Sequence, residues 1–137
     1  MSSVSNPAVG VDTSIWIHYF RNMHEPIARH LDELLEEDRI VLLAPVEVEL
    51  LLGVAKKEKP RLKRLLGALM TRRPNDDTWD WCRDVAVASR EKGATLGATD
   101  LLIAGLCVAG PGEAIPLWTL DKDFDSVHVD LHTYRIC

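Results

Sequence analysis

Acidic residues recur at comparable places along this 137-residue chain, each close behind or just ahead of an apolar run. Asp12 closes "AVGVD", Glu47 and Glu49 follow "RIVLLA", Asp100 opens "DLLIAGLCVAG", and Asp121, Asp123 and Asp125 follow "IPLWT". Carboxylates gathered in one cleft repel one another, so either some stay protonated or a cation holds them together. Oxygen donors of this kind select Mg²⁺ or Mn²⁺, and Mg²⁺ keeps several of its waters. A hydrated ion can orient a water and offset charge on a phosphoryl oxygen, which is the main requirement for hydrolysing a phosphodiester. The chain carries no Gly-rich phosphate loop and no GxSxG or Cys/His signature, which argues against an ATPase and against acyl transfer.

Each acid alone has a simpler reading. Asp12 can cap a helix, Glu47 and Glu49 can sit by a helix N-terminus, and the three later aspartates can serve a turn. Asp100, after Thr99 at a helix start, can also cap, but it is the only charge between Ala94 and Gly112. Strand alternation carried past "LWT" puts Thr119 and Asp121 on one side, so Asp121 is assigned to metal or water and Asp123 to holding the turn. An aspartyl phosphatase would want a second acid at position 14, which is Ser14. A receiver-like signalling module built on Thr119 and Lys122 leaves Glu49 and Asp100 without work.

For the acids to meet, the chain must be an α/β protein. "AVGVD", "RIVLLA" and "AIPLWT" (114–119) read as buried strands, and "VHVDLHTY" (127–134) as a last alternating strand. Between them the spacing predicts helices over 14–21, from Pro26 to Glu37, over 46–57, over 61–70 after a break at Lys59-Pro60, over 76–93 and over 96–110. In the 76–93 helix Trp81, Val85 and Ala88 share a face, with Gly93 as its cap. Strands separated by helices imply an α/β sandwich with a mostly parallel sheet, whose C-terminal edge would collect the acids.

Length and composition fit one domain over 1–137: 47% of residues are hydrophobic and 27% charged. No apolar run is long enough to span a membrane and "MSSVSNPAVG" has no signal-peptide pattern, so a cytoplasmic protein is expected. Cys82, Cys107 and Cys137 lack metal or disulfide spacing and read as two core thiols and a tail residue. His18 and His30 are expected on helix surfaces and His128 and His132 on the last strand, with no role for any. The formal charge is −5, but Lys56 to Arg73 holds eight basic residues against Glu58 alone. This helical basic arm, within about 46–73, makes Lys56, Lys57, Arg61 and Arg64 candidate phosphate contacts on an otherwise acidic body.

"VDTSIWI", "VEVELLLG", "ATDLLIA" and "LWTLDKDF" together resemble the PIN-domain family, most specifically the VapC-type ribonuclease toxins of bacterial toxin-antitoxin pairs. The blocks stand in family order from residue 9 to about 125. The resemblance implies a three-layer α/β/α sandwich and Mg²⁺- or Mn²⁺-dependent cleavage of RNA. It also implies a homodimer and a small VapB-like antitoxin that covers the site. It places the family's acids on Asp12, Glu49, Asp100 and Asp121, with Asp12, Asp100 and Asp121 toward the metal. Thr13, Ser14 and Thr119 match family hydroxyls near the metal or its waters. The alternative kept beside it is an acidic-pocket signalling or RNA-binding module without cleavage.

Overall fold

A computed structural model describes residues 7–21, 25–92, 96–127 and 129–132, with residues 90–92 as backbone only. Strand β1 (Val9–Val11) is followed by helices α1 (Thr13–Arg21) and α2 (Glu25–Glu36). Strand β2 (Ile40–Leu43) leads into α3 (Ala44–Gly53), a 3₁₀ turn (Lys56–Glu58) and α4 (Lys59–Gly67). Strand β3 (Met70–Arg72), α5 (Asp76–Lys92), α6 (Ala98–Val108), β4 (Leu117–Trp118) and a second 3₁₀ turn (Lys122–Ser126) complete the order.

The four strands form one sheet in the order β3-β2-β1-β4, and every pairing is parallel. Gly10 lies opposite Val41 on one side and Leu117 on the other, so β1 is central. The chain winds outward from β1 to β3 and then crosses back to β4, which makes the β1/β4 boundary a topological switch point. In open parallel sheets ligands bind beyond the C-terminal strand ends at that boundary. Helix α1 packs with α2 and α3, and α5 with α6, while α3 also meets α6, in keeping with the expected α/β/α sandwich.

Local chemistry explains the element ends. Asp38 takes a positive φ of 55°, and Arg39 and Asp38 donate back to Leu34 and Leu35 at 3.0 and 3.1 Å. That left-handed stop closes α2, with Asp where glycine is commoner. Pro45 lies in the first turn of α3, and Pro60 likewise in α4, where the missing N–H removes no helical bond. Lys59-Pro60 therefore starts a helix rather than breaking one. The helix expected to reach Lys57 stops at Gly53, and the 3₁₀ turn separates the two arms of the hairpin.

Strand β3 corrects the sequence reading, which ran a helix through Met70. "MTR" carries no apolar pattern because an edge strand with exposed Met70 and Thr71 buries little on either face. Strand β4 is shorter than expected. Of the last alternating strand, only a single parallel bridge from Leu131 to Leu117 is present among the described residues. On α5 the buried positions are Thr78 and Cys82, flanked by half-buried Trp81 and Val85, while Ala88 is exposed. Gly105 of α6 explains this rotation: a Cβ there would lie 2.8 Å from the Cys82 sulfur. Cys82 and Cys107 are core thiols as expected, while Gly93, His128 and Cys137 lie outside the described residues.

Candidate active site

Asp12 is the first residue past β1, where its amide donates to the Trp118 carbonyl of β4 at 2.9 Å. Its backbone carbonyl opens α1 by accepting from Ile15 at 3.1 Å. The side chain does something other than capping. Ser14 Oγ and Thr119 Oγ1 both donate to the same oxygen, Asp12 Oδ2, at 2.9 and 2.7 Å. Asp12 is only 6% exposed, so these bonds fix its rotamer and replace the water it lost on burial.

The two hydroxyls also tie the site together. Ser14 Oγ accepts from the Leu120 amide at 3.1 Å, and Thr119 Oγ1 accepts from the Asp121 amide at 3.0 Å. The start of α1 and the chain leaving β4 are thus linked through one carboxylate oxygen. Asp121 then caps the 3₁₀ turn, its Oδ1 accepting from the Asp123 amide at 2.9 Å. The turn-holding role expected of Asp123 thus falls to Asp121, whose side chain accepts from the local amide. Asp123 offers its backbone carbonyl to Ser126 Oγ at 2.8 Å, and its side chain is exposed. The reason is the turn itself: the residue before a helical turn reaches the unpaired amides, and the second residue inside it does not.

The other acids arrive from separate helices. Glu49 on α3 is exposed and its Oε1 accepts from Thr13 Oγ1 at 2.6 Å, which settles Glu49 rather than Glu47 as the acid facing α1. Asp100 stands half-buried in the first turn of α6. Burial raises its pKa above the ordinary carboxylate range, and the charges of Asp12, Asp121, Glu49 and Asp123 raise it further. Residues far apart in the chain therefore share one electrostatic neighbourhood.

A model of the PIN domain family matches residues 9–129. The chain belongs to the PIN domain family. Solved structures with the same fold include VapBC2 from Rickettsia felis bound to a promoter DNA fragment, at 22% identity and a TM-score of 0.78 over 93% of this chain and 99% of that one. DNA-bound VapBC from Salmonella typhimurium aligns at 16% identity and 0.77, over 92% and 96%. VapBC-1 from nontypeable Haemophilus influenzae aligns at 22% and 0.73, over 91% and 96%. No curated protein sequence matches the chain.

In this PIN domain the acid cluster is a good donor set for a hard cation: oxygen only, mutually repelling, and with Asp12 pinned through Oδ2. Among the described residues no three His, Cys, Asp or Glu side chains already stand in a closed ligand set. Mg²⁺ needs only one or two carboxylates and fills its octahedron with water, so the arrangement fits it without such a cage.

The candidate phosphate contacts Lys56, Lys57, Arg61 and Arg64 are all exposed on the 3₁₀ turn and α4. Arg61 is partly engaged, 3.9 Å from Glu58 and with its guanidinium 5.9 Å above the Phe20 ring. Arg72 leaves the basic arm altogether: its Nη1 donates to the Leu106 carbonyl at 3.0 Å and secures the end of α6. Between α1, α3 and α4 runs a groove of about 380 Å³, apolar along Ile17, Phe20, Leu50 and Leu62, with Glu49 and Arg21 in its lining. Sequence reasoning did not find this groove, because its walls come from three helices that each look merely amphipathic.

Proposed function

We propose that this PIN domain is a Mg²⁺- or Mn²⁺-dependent endoribonuclease, the toxin of a VapBC-type toxin-antitoxin pair. The observation that supports the reading is that the charges of Asp12, Asp121 and Glu49, from separate segments of the chain, all act on half-buried Asp100. In this reading Asp12, Asp100 and Asp121 would hold the ion directly or through its waters, and Thr13, Ser14 and Thr119 orient the carboxylates. When bound, the ion activates a water and offsets charge on the scissile phosphate. Glu49, exposed and held at Oε1 by Thr13, would take a proton from a water. Lys56, Lys57, Arg61 and Arg64 offset the repulsion between an acidic body and RNA.

The solved neighbours are described as VapBC complexes, which supports a small antitoxin as partner. Such a partner would lie along the groove that ends at Glu49 and present a cation to the acids. A homodimer in the cytoplasm is part of the same reading. Among the described residues no helix is long and apolar enough to cross a membrane.

Purified protein is expected to cleave susceptible RNA with Mg²⁺ or Mn²⁺ and to stop in excess EDTA. Sequencing RNA 5′ ends from cells briefly expressing the chain tests activity and target together. Cleavage by clean protein that persists without metal would defeat the mechanism. An unchanged end profile at good expression would favour an RNA-binding module.

A further inference from the structure

Residues 129–132 lie along the outer edge of β4. The Leu117 amide donates to the Asp130 carbonyl at 2.8 Å, and the His132 amide donates to the Leu117 carbonyl at 2.8 Å. One side-chain contact reinforces this short docking. His132 Nε2 lies 2.8 Å from His30 Nε2 on α2. The two rings are parallel within 3° with centroids 5.1 Å apart, a separation that the nitrogen contact plus two ring radii accounts for. They meet edge to edge, as a nitrogen-to-nitrogen hydrogen bond requires. Trp118 stands roughly perpendicular to both, at 4.8 Å from His30 and 5.7 Å from His132.

We propose that the His30–His132 pair is a pH-operated clasp, which holds residues 129–132 against β4 while at least one ring is neutral and releases them when both are protonated. The proton count follows from the geometry. A neutral pair has one Nε2–H to donate and one bare Nε2 to accept. With one added proton, an imidazolium donates to a neutral imidazole and the bond strengthens. With two, both nitrogens carry hydrogens and both rings are positive, so attraction becomes repulsion.

On α2, Glu33 Oε2 lies 3.4 Å from His30 Nδ1. From the loop after α2, the charge of Arg39 acts on His132, while Arg39 itself pairs with Glu37 at 3.0 Å. Trp118 contributes a neutral ring from β4, and Asp130 lies in the docked segment itself. Burial, then His30, then Arg39 hold His132 below the ordinary histidine range. Because the docked ring's pKa is depressed, its contribution is complete above the free value of about 6.5 and is lost as pH falls through the docked value. The device is independent of the chemistry at the acid cluster.

The test is amide hydrogen exchange on the full chain, expressed as protection factors, between about pH 7.5 and about pH 5, a range spanning the histidine window. The Leu117 amide is expected to lose up to roughly tenfold protection for each pH unit between the free value of about 6.5 and the docked value, and to level off below it, since only in that window does the released segment hold a proton that the docked one lacks. The Val9 amide, bonded to Arg39 in the sheet, reports whether the whole fold is opening and should hold steady. In His132→Gln, which can bond His30 in either protonation state but does not titrate, Leu117 protection should stay level. Constant protection in the native chain, or the same decline in His132→Gln, would overturn the clasp.

Discussion

At the residue scale the acids do different jobs despite identical chemistry. Asp100 carries the cost of the cluster: without a cation its ionised form is disfavoured by burial and by four neighbouring carboxylates. A carboxyl whose pKa is raised on folding destabilises the fold at neutral pH and ceases to do so as pH falls through the raised value. Asp100→Asn should therefore raise the melting temperature of metal-free protein by about a degree or more at neutral pH, with the gain shrinking toward pH 4, while cleavage is lost. A thermal melt at two pH values, with and without Mg²⁺, reads this. Asp121 joins two roles. Asp121→Asn keeps the acceptor that caps the 3₁₀ turn and should lose cleavage with little change in stability. Asp121→Ala should cost about 1 kcal/mol in addition. Asp123→Asn, on an exposed side chain, should stay within about 0.5 kcal/mol of the parent and retain more activity. A greater activity loss for Asp123→Asn than for Asp121→Asn would move the fourth acid to Asp123.

The elements matter because they set distances that side chains alone cannot. Helix α6 delivers Asp100 to the site only if its other turns are seated, and α5 approaches it so closely that Gly105 leaves no room for a methyl group. A Cβ there would meet the Cys82 sulfur at 2.8 Å and the Trp81 ring at 3.2 Å. Gly105→Ala should destabilise by about 1–3 kcal/mol despite alanine's better helix propensity, because a filled core resists added volume. Adding Cys82→Ala should restore part of that loss, and the non-additivity in a denaturant series measures the contact. Independent effects of the two substitutions would show that the helices adjust elsewhere. The end of α6 has its own supports, with Arg72 on the Leu106 carbonyl and Thr78 on the Ala109 carbonyl at 3.1 Å.

For the whole molecule the relevant quantity is the arrangement of charge. Lys56 to Arg73 carries a local excess of positive charge while the rest of the chain is strongly acidic, so RNA should be held chiefly by one side. Replacing Lys56, Lys57, Arg61 and Arg64 with Gln should weaken RNA binding and reduce the salt slope by up to about three charges' worth, since each released counterion contributes a little under one. A titration at several salt concentrations measures this, and an unchanged slope would exclude the arm from the interface. Arg72 is left out of the set because it serves the fold.

Much of this was legible from residue order alone, and for physical reasons. Buried parallel strands must be apolar runs, so "AVGVD" and "RIVLLA" announced themselves, and α2 was visible from Ile27, Leu31 and Leu34 at helical spacing. An acid directly behind each run pointed to a site at the strand ends, and the four blocks together pointed to the family. Strand β3 was not legible, because an exposed edge leaves no apolar signature in "MTR". Nor was the division between Asp121 and Asp123, which depends on a 3₁₀ turn that Asp121 caps. That Ser14 and Thr119 converge on one oxygen of Asp12 was decided by the β1/β4 register, a contact across 107 positions of chain. His30 read as a surface residue by helical position, and tertiary packing, His132 and Trp118 included, leaves it half-buried. Local chemistry is written in the order of residues. Which distant side chains share an oxygen, a proton or a wall of a groove is fixed by strand register and helix approach, which no stretch of sequence carries by itself.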